Sequence, residues 1–215
     1  MPFIDRADAG RRLARLLEHL RASDVVVIGL PRGGVPVAVE VARRLGAPLD
    51  VIVVRKLGVP FQPELGMGAI GEGGTRVIDP RVVAAAGVTT EELDAVEERE
   101  RAELDRQVCR FRGRRTPVPL EGRTAVVVDD GIATGSTARA ACRIARARGA
   151  VRIVLATPVA PAESVLSLRQ DADEFVCLET PTPFFGVGQF YADFSQISDE
   201  QVAALLERAD ETAEV

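Results

Sequence analysis

Two adjacent carboxylates followed by small and hydroxyl-bearing residues form the segment of this chain with the clearest chemical capacity. Asp129 and Asp130 follow an apolar run, and the residues after them read Gly-Ile-Ala-Thr-Gly-Ser-Thr. Backbone amides and hydroxyls at the start of a helix bind a phosphate group, because unpaired amides and the helix dipole both favour an anion. Carboxylates accept hydrogen bonds from vicinal sugar hydroxyls, or they hold metal-bound waters. A phosphorylated sugar would satisfy both halves of this segment.

A helix cap preceded by two turn residues is the competing interpretation, but it leaves the ordered series of residue types unexplained. Other phosphate-binding motifs fit less well. The spacing from Gly131 to Gly135 is one residue shorter than in a P-loop, and no lysine follows it. Residues 29–34 contain three glycines, but their spacing differs from the G-x-G-x-x-G pattern of a dinucleotide site. The segment therefore favours a sugar phosphate as its ligand.

Short β-branched runs alternate with helical patterns along the chain, and they place this segment at the end of a strand. Near-continuous apolar runs predict buried parallel strands, because helices then cover both faces of the sheet. Gly46 and Gly149 lie where left-handed helix caps would fall. The predicted strands are residues 24–29, 49–54, 124–129, 151–156 and 174–178, and the predicted helices are residues 11–20, 35–45, 136–148 and 162–169. The pattern predicts an open α/β sheet, whose ligands bind beyond the carboxyl ends of the strands.

Two stretches depart from this alternation. Residues 57–75 contain two prolines and six glycines, which predicts an irregular functional loop. Residues 89–115 carry apolar side chains near helical spacing after a Thr-Thr-Glu-Glu start, which predicts a long capped helix. Its many charges, for example Glu97 and Arg101, are interpreted mainly as a solvated face, with a partner-binding surface as the alternative.

The composition excludes several classes of function. The chain has 215 residues, of which 47% are hydrophobic and 27% charged, and its net charge is −5, so a broad nucleic-acid-binding surface is not expected. No apolar run is long enough to span a bilayer, and residues 1–10 lack the apolar stretch of a signal peptide, so we expect a cytoplasmic protein. Cys109, Cys142 and Cys177 are too far apart for a redox pair, and we expect buried thiols. The single histidine, His19, is expected at the surface.

The apolar strand with its paired acids and Thr-Gly-Ser-Thr ending resembles the signature of the type I phosphoribosyltransferases. The resemblance implies an α/β fold with an open, mostly parallel, doubly wound sheet flanked by helices, a long inserted helix and a C-terminal hood. It implies one domain over residues 1–215, with a mobile loop and helical insertion at residues 57–115 and the hood and a last helix at residues 179–215. Asp129 and Asp130 would face the ribose hydroxyls of phosphoribosyl pyrophosphate. The 5′-phosphate would be bound by Ala133, Thr134, Gly135, Ser136 and Thr137.

Two further loops agree with this resemblance. The strand at residues 24–29 runs into Leu-Pro-Arg-Gly-Gly, where Arg32 and the amides beside Gly33 would bind pyrophosphate. A tight strand-to-helix turn is an equally good interpretation of that loop alone. Arg55 and Lys56 stand where the family has an Arg-Lys pair ahead of a loop that closes over the reaction centre.

The reaction that the resemblance implies is displacement of pyrophosphate from C1 of the ribose by a ring nitrogen. Charge stabilisation of the leaving group would come from Arg32, Lys56 and the cofactor Mg²⁺. Asp129 and Asp130 would contact the metal only through water, so no direct protein ligand is expected. Asp129, Asp130 and Lys56 are the candidate catalytic residues, and loop closure would exclude water from the activated sugar.

The acceptor site is predicted from an aromatic segment, residues 182–194, which holds five aromatic side chains. These rings would either stack on a planar base or form a small satellite core. A loose resemblance to the hood of hypoxanthine-guanine phosphoribosyltransferases implies Phe185, Val187 and Asp193 as substrate contacts. Ala133 stands where those enzymes usually carry an aspartate, so the identity of the base stays open.

Two further observations bear on the acceptor and on the class of function. No lysine follows Lys56 to read a purine oxygen, and Glu64 or Glu72 could supply an acid from the loop. One class of function is a phosphoribosyltransferase acting on a nucleobase or related nitrogen heterocycle. The other is a non-catalytic protein that binds phosphoribosyl pyrophosphate or a nucleotide and regulates a partner. The retained Arg32 and Lys56 favour the enzyme; neither nucleic acid nor membrane is an expected partner, and a homodimer is left open.

Overall fold

The computed structural model describes residues 2–113 and 115–213, with side chains up to residue 209. The strands are β1 (Val25–Gly29), β2 (Leu49–Val51), β3 (Val54–Val59), β4 (Gln62–Gly71), β5 (Arg76–Ile78), β6 (Thr124–Val128), β7 (Arg152–Val159) and β8 (Glu174–Glu179). The α-helices are α1 (Arg6–Leu16), α2 (Gly34–Leu45), α3 (Pro80–Ala86), α4 (Thr90–Arg112), α5 (Ser136–Ala147), α6 (Ala162–Leu168) and α7 (Asp199–Ala213). Short 3-10 helices cover Glu18–Leu20, Glu72–Gly74 and Val187–Phe190.

The central sheet is parallel, in the order β2-β1-β6-β7-β8, which confirms the predicted α/β fold class. Its apolar strands are buried on both faces because successive side chains point to opposite sides. Val25 and Val27 of β1 pack into the cluster that contains α1 and α2, whereas Val26 and Ile28 pack into the cluster that contains α5. The sheet is therefore wound on both faces, as the sequence predicted.

The chain order reverses between β1 and β6, the second and third strands of the sheet. After β1 the chain passes through α2 to β2 on one side, and after β6 it passes through α5 to β7 on the other. The two strand ends therefore open a crevice between diverging helices, which is the place where open α/β sheets bind ligands. Both of the anion-binding loops predicted from sequence begin at this crevice.

The stretch predicted as an irregular loop is instead regular, and that part of the prediction is wrong. Strands β3, β4 and β5 form a second, antiparallel sheet, and residues 60–61 join β3 to β4. Alternation along β3 buries Leu57 and Val59, while Lys56 is exposed on the opposite face. The glycines that suggested irregularity include Gly58 and Gly68, where an added Cβ would press on the backbone of the neighbouring strand.

Helix α4 begins and packs as its sequence predicts. Thr89 and Glu92 form a capping box, and Leu93, Val96, Leu104 and Phe111 are buried against the second sheet and the core. The helix ends at Arg112, three residues before its predicted end. Arg112 is itself 5% exposed, although the sequence analysis placed the helix charges mainly on a solvated face.

Arg112 anchors a buried charge cluster that joins three separate segments. Its guanidinium donates to Asp50 Oδ1 at 2.6 Å, to Glu72 and to the carbonyl oxygen of Val51 at 2.7 Å. Asp50 also accepts a hydrogen bond from the amide of Val118 at 2.9 Å. Burial alone would lower the pKa of Arg112, but the hydrogen bonds to Glu72 and Asp50 outweigh it and raise that pKa. Glu72 is therefore a structural residue here, and its suggested role as a loop acid facing the base is wrong.

Smaller sequence predictions have mixed outcomes. Gly46 and Gly149 do adopt positive φ values, 64° and 90°. His19 lies at the surface beside Glu174, as expected. Cys142 is buried, but Cys109 is exposed, so the expectation of buried thiols is wrong for Cys109. None of the helices in the described part of the chain combines the length and apolar character needed to cross a bilayer.

Candidate functional site

The phosphate loop links β6 to α5 at the crevice. Asp129 and Asp130 follow the last residue of β6, and the helix begins at Ser136. Gly135 precedes it with a φ of +75°, a conformation that favours glycine. The hydroxyls of Thr134 and Ser136 lie 3.3 Å apart. These hydroxyls and the free amides of the first helical turn present hydrogen-bond donors to one anion.

The loop after β1 lies against the carboxylates. Its peptide bond between Pro31 and Arg32 is cis. A Cβ added at Gly33 would overlap the carboxylate of Asp130, and one added at Gly34 would lie 2.5 Å from the carbonyl oxygen of Val128. Glycine at both positions lets the two loops meet, which adjacent parallel strands β1 and β6 make possible.

We expect Gly33→Ala to weaken binding of a phosphorylated sugar by about tenfold, because the new methyl group must displace the Asp130 carboxylate. Isothermal titration with phosphoribosyl pyrophosphate measures the change. Gly149→Ala is the matched control, since an added Cβ there would likewise overlap a carboxylate, that of Glu121, in the turn between α5 and β7 and away from the crevice. Wild-type affinity in folded Gly33→Ala protein would contradict the placement of the ligand beside Asp130.

Asp130 is held by a partner that the sequence analysis missed. Arg6 Nε donates to Asp130 Oδ2 at 2.8 Å, and both side chains are largely buried. Arg6 also donates to the carbonyl oxygen of Ser195 at 2.8 Å, and the Tyr191 hydroxyl donates to the carbonyl oxygen of Asp130 at 2.5 Å. Partners 124 positions apart give no local signal in a sequence. The N-terminal helix and the C-terminal segment therefore meet at this carboxylate.

Electrostatics distinguishes the two acids from ordinary surface carboxylates. Burial raises the pKa of Asp129, and the adjacent Asp130 raises it further. Burial also raises the pKa of Asp130, but the hydrogen bond and the charge of Arg6 oppose that shift. Raised carboxyl pKa values in a crevice are typical of functional sites, where a bound ligand can stabilise a charge that burial disfavours.

The Arg-Lys pair predicted from sequence is split by the pleat of β3. Lys56 Nζ donates to Ser136 Oγ at 3.1 Å, which brings the lysine to the phosphate loop. Arg55 points to the other face, where its Nη2 pairs with Glu100 of α4 at 2.6 Å. Neighbouring strand residues face opposite sides, so one of the pair must turn away. In this conformation the structure places Lys56 in the site and Arg55 outside it.

A cavity of about 570 Å³ joins the loop after β1 to the phosphate loop at Asp130 and Thr137, whereas Lys56, Thr134 and Ser136 line a second cavity. The first cavity is lined by Arg32, Gly33, Asp130 and Thr137 from the predicted loops, and by Arg6. The remaining polar lining residues were missed by the sequence analysis: Glu103, Gln107 and Arg110 of α4, and Gln196 and Asp199 near the start of α7. Helix α4 thus forms one wall of the site.

The aromatic segment divides between the two roles considered for it. Tyr191 packs with Phe3 in a satellite core, and Phe184 stacks on Phe190 at 5.4 Å. Phe194 instead lines the cavity, with the Arg6 guanidinium 4.0 Å from its ring centre.

The three predicted acceptor contacts lie in different surroundings. Phe185 is 85% exposed, and Asp193 is exposed and accepts a hydrogen bond from the amide of Ser195 at 2.9 Å. Val187 packs over Gly131 of the phosphate loop, where an added Cβ would overlap it. The structure therefore brings Val187, but not the Phe185 ring, against the loop.

The donor atoms of the crevice determine whether it can hold a metal ion. In the described ranges there is no group of three or more His, Cys, Asp or Glu side chains arranged to hold a metal. Two carboxylates, Asp129 and Asp130, adjoin the anion-binding loops, and Mg²⁺ commonly uses one or two carboxylates together with substrate phosphates and water. These donors fit the coordination preferences of Mg²⁺, which would also need oxygen ligands from water or a phosphate group.

Fold and site together define an α/β protein with two anion-binding loops at the switch point of a parallel sheet. A family model described as the phosphoribosyl transferase domain matches residues 5–195. The chain belongs to the phosphoribosyl transferase family, and the resemblance to its type I members is confirmed.

Individual relatives agree with this assignment. Two Mycobacterium tuberculosis proteins, each named "Putative phosphoribosyl transferase", are 58% identical to this chain over 207 residues, which is 96% of this chain and 47% of each relative. The chain thus spans about half the length of these curated relatives. The crystal structure of TT1426 from Thermus thermophilus is 44% identical, with a TM-score of 0.91, and the match covers 97% of this chain and 99% of that one.

Proposed function

We propose that this protein transfers the phosphoribosyl group of 5-phosphoribosyl 1-pyrophosphate to a ring nitrogen of a nucleobase or related heterocycle, with release of pyrophosphate. The observation that carries the proposal is the meeting of the two anion-binding loops at Asp130, with Lys56 bonded to Ser136 of the phosphate loop. A ligand with a phosphate at one end, a diphosphate at the other and sugar hydroxyls between them matches that arrangement. The family assignment supports the same reaction.

Each group of residues has a proposed task. The amides and hydroxyls of residues 133–137 bind the 5′-phosphate, and Asp129 and Asp130 accept hydrogen bonds from the ribose hydroxyls. Arg32 and Lys56 stabilise the negative charge that develops on the leaving pyrophosphate. Fixed positioning of these groups lowers the barrier because the reacting atoms are held in line.

Mg²⁺, when bound, would neutralise diphosphate charge, with Asp129 and Asp130 orienting its waters. Lys56 reaches the phosphate loop from β3, so the hairpin of β3 and β4 could close over the site and exclude water. Arg55 could join the site only if this hairpin rotates away from Glu100. A cytoplasmic location fits a reaction that uses these small molecules.

Calorimetric titration tests the proposed reaction directly. Phosphoribosyl pyrophosphate with Mg²⁺ is titrated into the protein, and pyrophosphate release is then measured with each common nucleobase. Release with one base would establish the transferase and identify its acceptor. Binding without release for any base would instead support the non-catalytic regulator, and absence of binding would contradict both functions.

We expect Phe194→Ala to weaken binding of the acceptor more than binding of the sugar phosphate. The Phe194 ring lines the cavity, and stacking on a base contributes about 1–3 kcal/mol. Phe185→Ala should have the same selectivity with a smaller effect, since its ring is 85% exposed. The KM values for the two substrates, measured separately, check this. If KM rose equally for both substrates, these rings would serve the packing of the hood and not the binding of the acceptor.

A further inference from the structure

One carboxylate is shared by two arginines at the pyrophosphate end of the cavity. Arg32 Nε donates to Asp199 Oδ1 at 2.7 Å, and Arg110 Nη1 donates to Asp199 Oδ2 at 3.2 Å. The three residues come from different parts of the fold, namely the loop after β1, helix α4 and the first residue of α7. All three line the same cavity as Gly33 and Asp130.

The position of Asp199 is fixed by packing that does not involve its carboxylate. Helix α7 is anchored in the core through buried Val202 and Leu206. Its start is capped reciprocally by Ser198 and Gln201, with bonds of 2.8 and 3.2 Å between side chain and backbone amide. The Asp199 carboxylate is thus not needed to cap the helix, and it can leave the two arginines without unfolding the first turn.

The arrangement has the geometry and charge of an anion-binding site. A carboxylate presents two oxygens to two guanidinium groups, and a phosphate group can present two oxygens in the same way. Arg32 and Arg110 keep 44% and 64% of their side-chain surfaces exposed, whereas Asp199 keeps 17%. In this arrangement two guanidinium groups share a single carboxylate, and a diphosphate would present more anionic oxygens to them.

We propose, resting on the function proposed above, that Arg110 is a second diphosphate-binding residue and that Asp199 occupies the diphosphate position until the substrate displaces it. Arg32 and Arg110 then bind one diphosphate from opposite sides. This assigns a role in the site to the inserted helix α4, whose Arg110 side chain reaches the cavity. It also makes diphosphate binding a competition with a carboxylate of the same chain.

The two parts of the proposal predict changes of opposite sign. Arg110→Gln should lower the affinity for inorganic pyrophosphate by about tenfold, since it removes a charge-assisted contact. Asp199→Asn should raise the same affinity several-fold, because both arginines lose their anionic competitor. Titration calorimetry with inorganic pyrophosphate on the full chain measures both effects.

Matched controls distinguish the loss of a direct contact with pyrophosphate from a general change in the charge of the protein. Arg99→Gln removes a positive charge from α4 at a side chain that is 71% exposed and contacts Glu100, outside this arginine pair. Asp94→Asn makes the same chemical change as Asp199→Asn on a side chain of α4 that is 64% exposed and faces Arg76. Both controls should bind pyrophosphate within about twofold of the wild-type affinity, because exposed charges are well screened.

The outcomes separate this proposal from the proposed transferase. Pyrophosphate binding that responds to Arg110 and Asp199 as described, without phosphoribosyl transfer to any base, would support the arginine pair and contradict the transferase. Normal phosphoribosyl transfer together with unchanged pyrophosphate affinity in Arg110→Gln would support the transferase and contradict the arginine pair. A lower affinity in Asp199→Asn would overturn the competitor role, and absence of pyrophosphate binding by the wild-type chain would overturn the whole proposal.

Discussion

Replacing both Asp129 and Asp130 with asparagine should abolish measurable binding of phosphoribosyl pyrophosphate while the protein stays folded. The ribose hydroxyls would lose two anionic acceptors, and charge-assisted hydrogen bonds contribute about 1.5–3 kcal/mol each, so an affinity loss on the order of 100-fold or more is expected. The fold should survive because the asparagine oxygen at position 130 can still accept from Arg6. Calorimetry of ligand binding and thermal unfolding together measure the two effects.

The matched control for this double variant is Asp94→Asn, which makes the same chemical change on a side chain of α4 that is 64% exposed. It should leave both affinity and unfolding temperature unchanged. Burial raises the pKa of Asp129, so its ionised form is costly in the folded protein and its removal should not reduce stability at neutral pH. Unchanged affinity in a folded double variant would contradict the assignment of the sugar site.

Replacing Arg112 with methionine should lower the free energy of unfolding by about 3–5 kcal/mol, because Asp50 would keep a buried carboxylate without this cation and Glu72 would keep only its longer contact with Arg148, at 3.6 Å. Urea unfolding followed by circular dichroism measures this loss. A methionine of similar length fills much of the space, so the expected loss comes from the uncompensated charge and not from a cavity. The effect would rank among the largest for a single substitution in this protein.

Two further variants give this prediction a control and a rescue. Arg106→Met on the exposed side of α4 should change stability by less than about 0.5 kcal/mol, since its pair with Glu103 is exposed. Adding Asp50→Asn and Glu72→Gln to Arg112→Met should recover part of the lost stability, because neither acid then carries a buried charge. If Arg112→Met unfolded like the wild type, the cluster would not be a stabilising feature of the fold.

The parts of the fold that were predictable are those in which the local sequence determines the environment. Central strands of a doubly wound sheet are apolar on both faces, so β1 and β6 are evident from composition alone. The phosphate loop was predictable for a similar reason, because its amides, hydroxyls and acids are contiguous. Asp50 inside the apolar run at residues 49–54 was a visible signal of a buried ion pair, although its partner was not.

The parts that were missed depend on contacts between distant segments. Arg6 and Asp130 are 124 positions apart, and Arg32 and Asp199 are 167 apart, so no spacing rule connects them. The separation of Arg55 from Lys56 follows from strand alternation, but it is visible only once the stretch is known to be a strand. Residues 57–75 are predicted as a loop because two prolines and six glycines indicate an irregular backbone. Gly58 and Gly68 instead allow close approach of paired strands.

The pleat of β3 also limits how the hairpin could change its length during evolution. A one-residue insertion there would turn Lys56 toward α4 and Leu57 toward α5. The lysine would then lie on the buried face of the strand, and the apolar side chain would face the phosphate loop. Strand β4 is more permissive, because its register with β3 already shifts around Gly58 and Val59, leaving unpaired residues on the β4 side. Insertions and deletions among related chains should therefore accumulate at residues 60–65 and be rare in β3.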